Sequence, residues 1–79
     1  VFIIKHSVQN RDDELICDEL LALGGRTYEE CEPHMEEQAK AYGHHGYDDK
    51  HGRWWGWNDD LRHEVHYWWP VPLIPAASA

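Results

Sequence analysis

The segment Arg53–Trp69, RWWGWNDDLRHEVHYWW, contains all five tryptophans of the chain, at Trp54, Trp55, Trp57, Trp68 and Trp69. Each such ring can bury roughly 150–250 Å², and a chain of 79 residues has room for only a small core. The fold must therefore close over this segment or present it as a binding face. Trp55 and Trp57 flank Gly56 at strand spacing, Asn58-Asp59-Asp60 is turn chemistry, and Val65, Tyr67, Trp69 and Val71 alternate as a second strand. A hairpin is expected, because aromatic and β-branched side chains suit a pleated surface. The competing reading is a helix capped by Asn58, with Leu61, Val65 and Trp68 along one face. On the hairpin, Trp54 and Trp68 lie opposite Trp55, Trp57 and Trp69. Only a sheet covered on both sides buries both sets. Trp54 and Trp68 are the candidate exposed rings, of the kind that anchor protein interfaces or stack on sugars.

Upstream, Val1–Val8 reads as a strand with Phe2, Ile4 and Val8 on one face and Val1 and Ile3 on the other, which favours an interior position. Asn10 or Asp12 can cap a following helix, with Asp12, Asp13 and Glu14 at its positive end. That helix is expected to run to Leu23 on a stripe of Ile16, Cys17, Leu20 and Leu23, and to stop at Gly24-Gly25. Leu15 falls outside the stripe. Thr27-Tyr28-Glu29-Glu30 is a capping box opening a second helix. Its buried stripe is Tyr28, Cys31, Met35, Ala39 and Tyr42, and its polar face carries Glu29, Glu30, Glu36 and Glu37, with Glu36 one turn from Lys40. Pro33 should bend this helix, and Gly43 ends it. His44–Gly52 reads as a loop by its glycines and lack of period. Pro70, Pro72 and Pro75 impose an extended finish, and Ala76–Ala79 should fray. The expected fold is thus a single α+β domain over residues 1–75, in the order β-α-α-β-β, with a disordered tail at 76–79.

Charge narrows the partners. The net charge is −8, and it is concentrated: between Asp12 and Glu37 there are ten acidic residues against the single Arg26. Direct nucleic-acid binding is not expected, because phosphate contacts require clustered Lys and Arg. A protein with a basic surface is the favoured counterpart. The chain has no apolar run long enough to span a bilayer. It begins at Val1 without methionine or a recognisable signal peptide, so an initiator or leader is expected to lie upstream. Two cysteines, Cys17 and Cys31, outside any C-x-x-C pair, are expected to be buried reduced thiols of a cytoplasmic protein.

Seven histidines raise the question of a metal. His44, His45, Asp48, Asp49 and His51 lie close in sequence and offer zinc-type donors. The spacing is poor, however: His63-Glu64-Val65-His66 is not H-E-x-x-H, and no cysteine pair supplies half a site. Solvated or hydrogen-bonded histidines are the expectation, with no metal ligands and no cofactor assigned. Nucleophilic catalysis has less support still. Ser7 and Ser78 are the only serines, and Cys31 lies in an apolar stripe that disfavours a thiolate. No catalytic residues are assigned, and the chain is read as a non-enzyme.

The run His66-Tyr67-Trp68-Trp69-Pro70-Val71-Pro72 resembles the T-H-W-x-P-L-P ending of a family of short phage and prophage proteins of unknown function. The resemblance implies a phage origin and brings no activity with it. Together these features lead to a small acidic interaction protein, an inhibitor of the anti-CRISPR or anti-restriction type, that occupies the nucleic-acid-binding groove of a host nuclease. The expected contacts are Glu29, Glu30, Glu36 and Glu37, supported by Asp18 and Glu19, with Trp54 and Trp68 as ring contacts. The alternative is a zinc-binding domain built on residues 44–51.

Overall fold

The computed structural model describes residues 1–59 and 64–73. It is an α+β domain in which five antiparallel strands and one helix follow the order β-β-α-β-β-β. The strands are β1 (Phe2–Gln9), β2 (Leu15–Gly25), β3 (His44–Asp48), β4 (Arg53–Trp57) and β5 (Val65–Pro72), and the helix α1 is Tyr28–Lys40. In the sheet they lie in the order β2-β1-β5-β4-β3. β1 is interior, as its two apolar faces required, and it pairs with β5 without a break from Phe2↔Pro72 to Gln9↔Val65. β4 and β5 pair as the expected aromatic hairpin, with Trp54 opposite Trp68 and Trp55 opposite Tyr67. Residues 60–63, among them Asp60 of the expected turn, and the expected tail at 76–79 lie outside the described residues.

Two elements differ from the sequence-based expectation. The segment read as a first helix is strand β2, so the fold has one helix rather than two. The residues taken for its cap make a hairpin turn instead. Asn10 Oδ1 accepts from the backbone N–H groups of both Asp12 and Glu14, at 2.9 Å each, and Asp13 takes the left-handed conformation at φ 61°. Asn and Asp serve caps and turns by the same side-chain-to-backbone hydrogen bond. What decides here is the long interior strand β1, whose second edge needs a backbone partner that a helix cannot supply. Leu15, unplaced on a helical wheel, pairs with Gln9 at the start of β2. The second difference is β3, which runs through the glycine- and histidine-rich stretch read as a loop and pairs with β4 from His44↔Trp57 to Asp48↔Arg53.

α1 covers one face of the sheet. Thr27 caps it by accepting from the Glu30 N–H. The Glu30 carboxylate, rather than closing the capping box on Thr27, accepts from the Arg26 N–H at 2.7 Å. Pro33 lies inside the helix, which continues past it to Lys40. The expected stripe is the buried one. Cys31, Met35 and Ala39 form the core with Ile4 and Trp68, and Tyr28, Tyr42, Leu21, Leu23, Phe2 and Trp54 pack around them. The opposite face of the sheet has no such cover among the described residues.

Candidate functional site

Alternation along the hairpin divides the rings as the sequence indicates, but α1 lies over the set expected to be exposed. Trp68 is 1% exposed at the centre of the core. Trp54 packs against that core beside Tyr47, with ring centroids 5.4 Å apart and its indole N–H buried. Neither is available as a protruding contact ring, so their assignment as partner contacts is corrected. Trp55, Trp57, Tyr67 and Trp69 carpet the uncovered face instead, each partly buried. Groups on neighbouring strands hold them. The Trp55 ring rests on Gly46, where any Cβ would stand 2.7 Å from it. His44 stacks on Trp57 with centroids 4.0 Å apart. The Arg53 guanidinium sits 3.8 Å above the Tyr67 ring, and the Lys5 ammonium 5.8 Å from the Trp69 ring. A groove of about 500 Å³ runs past Asp48, Arg53, Trp55, Trp57 and Tyr67.

The six acidic residues expected on two helices lie on one strand and one helix. Asp18 lies on β2 and pairs with Lys5 at 2.9 Å on the uncovered side of the sheet. Its neighbour Glu19 points to the other side and bonds His6 Nδ1 at 2.9 Å. His6 Nε2 in turn meets His66 Nδ1 at 2.8 Å, and the Tyr42 hydroxyl lies 3.3 Å from the same nitrogen. Glu19 is thus tied into a row of polar groups beside the core. Burial, with Glu64 nearby, pushes the Tyr42 hydroxyl above its usual pKa. On α1, Glu36 pairs with Lys40 at 3.1 Å, Glu30 closes the joint to β2, and Glu29 and Glu37 are exposed on the outer face. The tract stays contiguous in space even though it is not one face. Gly25 at the end of β2 abuts the Glu30 side chain, so edge strand and helix meet at an acidic joint.

The histidine-rich segment does not converge. His44 bonds Asp59 at 2.9 Å, His45 donates to the Tyr42 carbonyl at 3.1 Å, and His51 donates to Asp48 at 2.7 Å. Three imidazoles with three separate partners reflect strand alternation along β3 and the turn after it. Among the described residues no three His, Cys, Asp or Glu side chains gather closely enough to hold a metal ion. The His51 hydrogen bond holds the Asp48 carboxyl below its ordinary pKa, aided by the backbone N–H groups of His51 and Lys50.

The thiols separate. Cys31 is fully buried, and burial raises its pKa above the ordinary 9.0, with Glu30 adding to the effect. Cys17, expected on an inward helix face, is exposed on β2. Tyr28 is the second anchor of α1. Its hydroxyl donates to the Gly52 carbonyl at 3.0 Å and lies 3.1 Å from the Tyr47 hydroxyl, and burial drives its pKa far above the tyrosine range.

No family model, curated protein or solved structure matches the chain.

Proposed function

We propose that the protein is a small non-enzymatic interaction protein whose acid-rich tract, β2 followed by α1, docks on a basic surface of another protein. The observation that carries this reading is the spatial continuity of that tract. Ten acidic residues and one arginine between Asp12 and Glu37 fold into a turn, an edge strand and a helix, the last two meeting at the Gly25–Glu30 joint. Uncompensated like charge disfavours the compact state, and an oppositely charged partner relieves it. Among the described residues Lys5 pairs with Asp18 and Lys40 with Glu36. Glu29 and Glu37 are the best placed contacts, and Glu30, Asp18 and Glu19 set the field behind them.

The concrete form of the proposal is a phage-encoded inhibitor that occupies the nucleic-acid groove of a host nuclease, the anti-CRISPR or anti-restriction type. The size, the charge and the resemblance of residues 66–72 to short phage proteins support it. No described helix is long and apolar enough to cross a membrane. A displacement assay tests the proposal. The protein should release a labelled nucleic acid from a nuclease it binds, and the Glu29→Lys, Glu36→Lys, Glu37→Lys triple variant should fail to do so while remaining folded. Equal displacement by both proteins would refute it.

A further inference from the structure

We infer that the free edge of β2 is a docking edge that takes an extended, basic β-strand of the partner protein. The inference rests on the reading above and names how the partner is held. Among the described residues β2 pairs on one side only, with β1. Its outer row of backbone N–H and C=O groups is therefore a template for a further strand. At eleven residues it is the longest strand of the sheet, against five for β3 at the other edge.

Natural edge strands are blunted by being short, by lysine, proline or inward-pointing charges, or by bulges. β2, LICDELLALGG, is long and has neither lysine nor proline, and its protection is limited to Asp18, Glu19 and two register shifts. Its register shifts fall opposite Ile3/Lys5 and Val8/Gln9, and they leave Cys17–Leu20 regularly paired with Val8–Lys5. Along and beside that regular stretch, large apolar side chains stand in solvent: Leu15 is 57%, Ile16 52% and Leu20 58% exposed. No other strand carries so many. An added strand would cover these side chains as it completes the hydrogen-bond ladder, so backbone pairing and apolar contact favour the same occupant.

Charge selects which strand. Asp12, Asp13 and Glu14 precede the edge, Asp18 and Glu19 lie within it, and Glu29 and Glu30 stand beyond its end, outnumbering the flanking Arg11 and Arg26. A second copy of this chain would bring the same acids against themselves, and like charges directly opposite destabilise a strand pair. A strand carrying lysine or arginine between apolar residues is complementary on both counts.

The test uses the full chain, isotopically labelled, titrated with a short synthetic peptide in which lysine and valine alternate. Amide shift changes should concentrate in Leu15–Leu23, and amide exchange there should slow on saturation. Leu20→Lys should weaken binding roughly tenfold, about 1.4 kcal/mol, with Ile16→Lys as a second variant, and unchanged circular dichroism in both should show that the fold survives. The same peptide with glutamate in place of lysine should not bind. Shifts confined to α1, or undiminished affinity of both variants, would overturn the docking edge while leaving the acidic tract as a contact surface. Failure of the basic peptide to bind at all would overturn the docking edge, and the displacement assay above decides the acidic tract separately. Sedimentation as a dimer that Leu20→Lys converts to a monomer would assign the edge to a second copy and overturn the proposed partner.

Discussion

Trp68 shows at the scale of one residue what the sequence contained and what it lacked. Strand alternation put Trp68 and Trp54 on one face and Trp55, Trp57 and Trp69 on the other, and the register confirms it. Alternation does not say which face a helix will cover, because that depends on the packing of a distant segment, the Cys31–Met35–Ala39 stripe. The pair expected to be exposed is therefore the one under α1, with Trp68 buried and Trp54 half-buried against the core. Trp68→Ala is expected to cost about 3–5 kcal/mol, measured by urea unfolding, and Trp69→Ala, on the uncovered face, clearly less. A similar contrast holds for the thiols. In native buffer Cys17 should react rapidly with a thiol reagent and Cys31 only after denaturation. Equal rates would contradict the packing of α1. The raised pKa of Cys31 also fixes a sign. The unfolded thiol ionises near 9.0 while the folded one stays protonated. Stability gained from this difference is complete below pH 9 and is lost as pH rises through the folded value. Tyr28 and Tyr42, raised above 10.0 by burial, extend the decline. Urea midpoints measured across the alkaline range should fall, and Cys31→Ala should delay the onset.

Among the elements, α1 was legible almost to its ends, because a capping threonine and a buried stripe of period 3.6 agree. β2 was not legible. Its Leu, Glu and Ala residues favour a helix locally, and Ile16, Cys17, Leu20 and Leu23 fall at helical spacing. The unsatisfied edge of β1 overrides that preference, and such a demand is invisible within the segment itself. β3 was hidden for a related reason: its residues have weak strand propensity and are held by pairing with the aromatic strand β4. Asp13 separates the two structures of the turn experimentally. At φ 61° an Asp→Gly change relieves backbone strain, so Asp13→Gly should raise stability by up to about 1 kcal/mol. In the first turn of a helix the same change would lower it by about as much. Thermal unfolding of this single variant decides between hairpin and helix.

For the molecule as a whole, the fold leaves the acidic tract exposed along one edge strand and across the outer face of the helix. It sets the cation-capped rings on the side of the sheet away from the helix. The charge asymmetry was fully readable in the sequence. Its geometry was not, since the acids expected on two helices proved to lie on an edge strand and a helix joined at Gly25–Glu30, with Asp18 and Glu36 held in ion pairs. Attraction between exposed charges is screened beyond roughly 8–10 Å in physiological salt, so a contact made by this tract has a distinct signature. The most direct measurement is the dissociation constant for a basic partner as a function of salt, for the parent and for the Glu29→Lys, Glu37→Lys variant, with melting temperatures recorded alongside. Parent affinity should fall steeply as salt rises. The variant should bind at least roughly tenfold more weakly at low salt, mainly through slower association, with an unchanged melting temperature. A folded variant that binds as tightly as the parent at low salt, with the same salt dependence, would contradict the acidic tract as the docking surface.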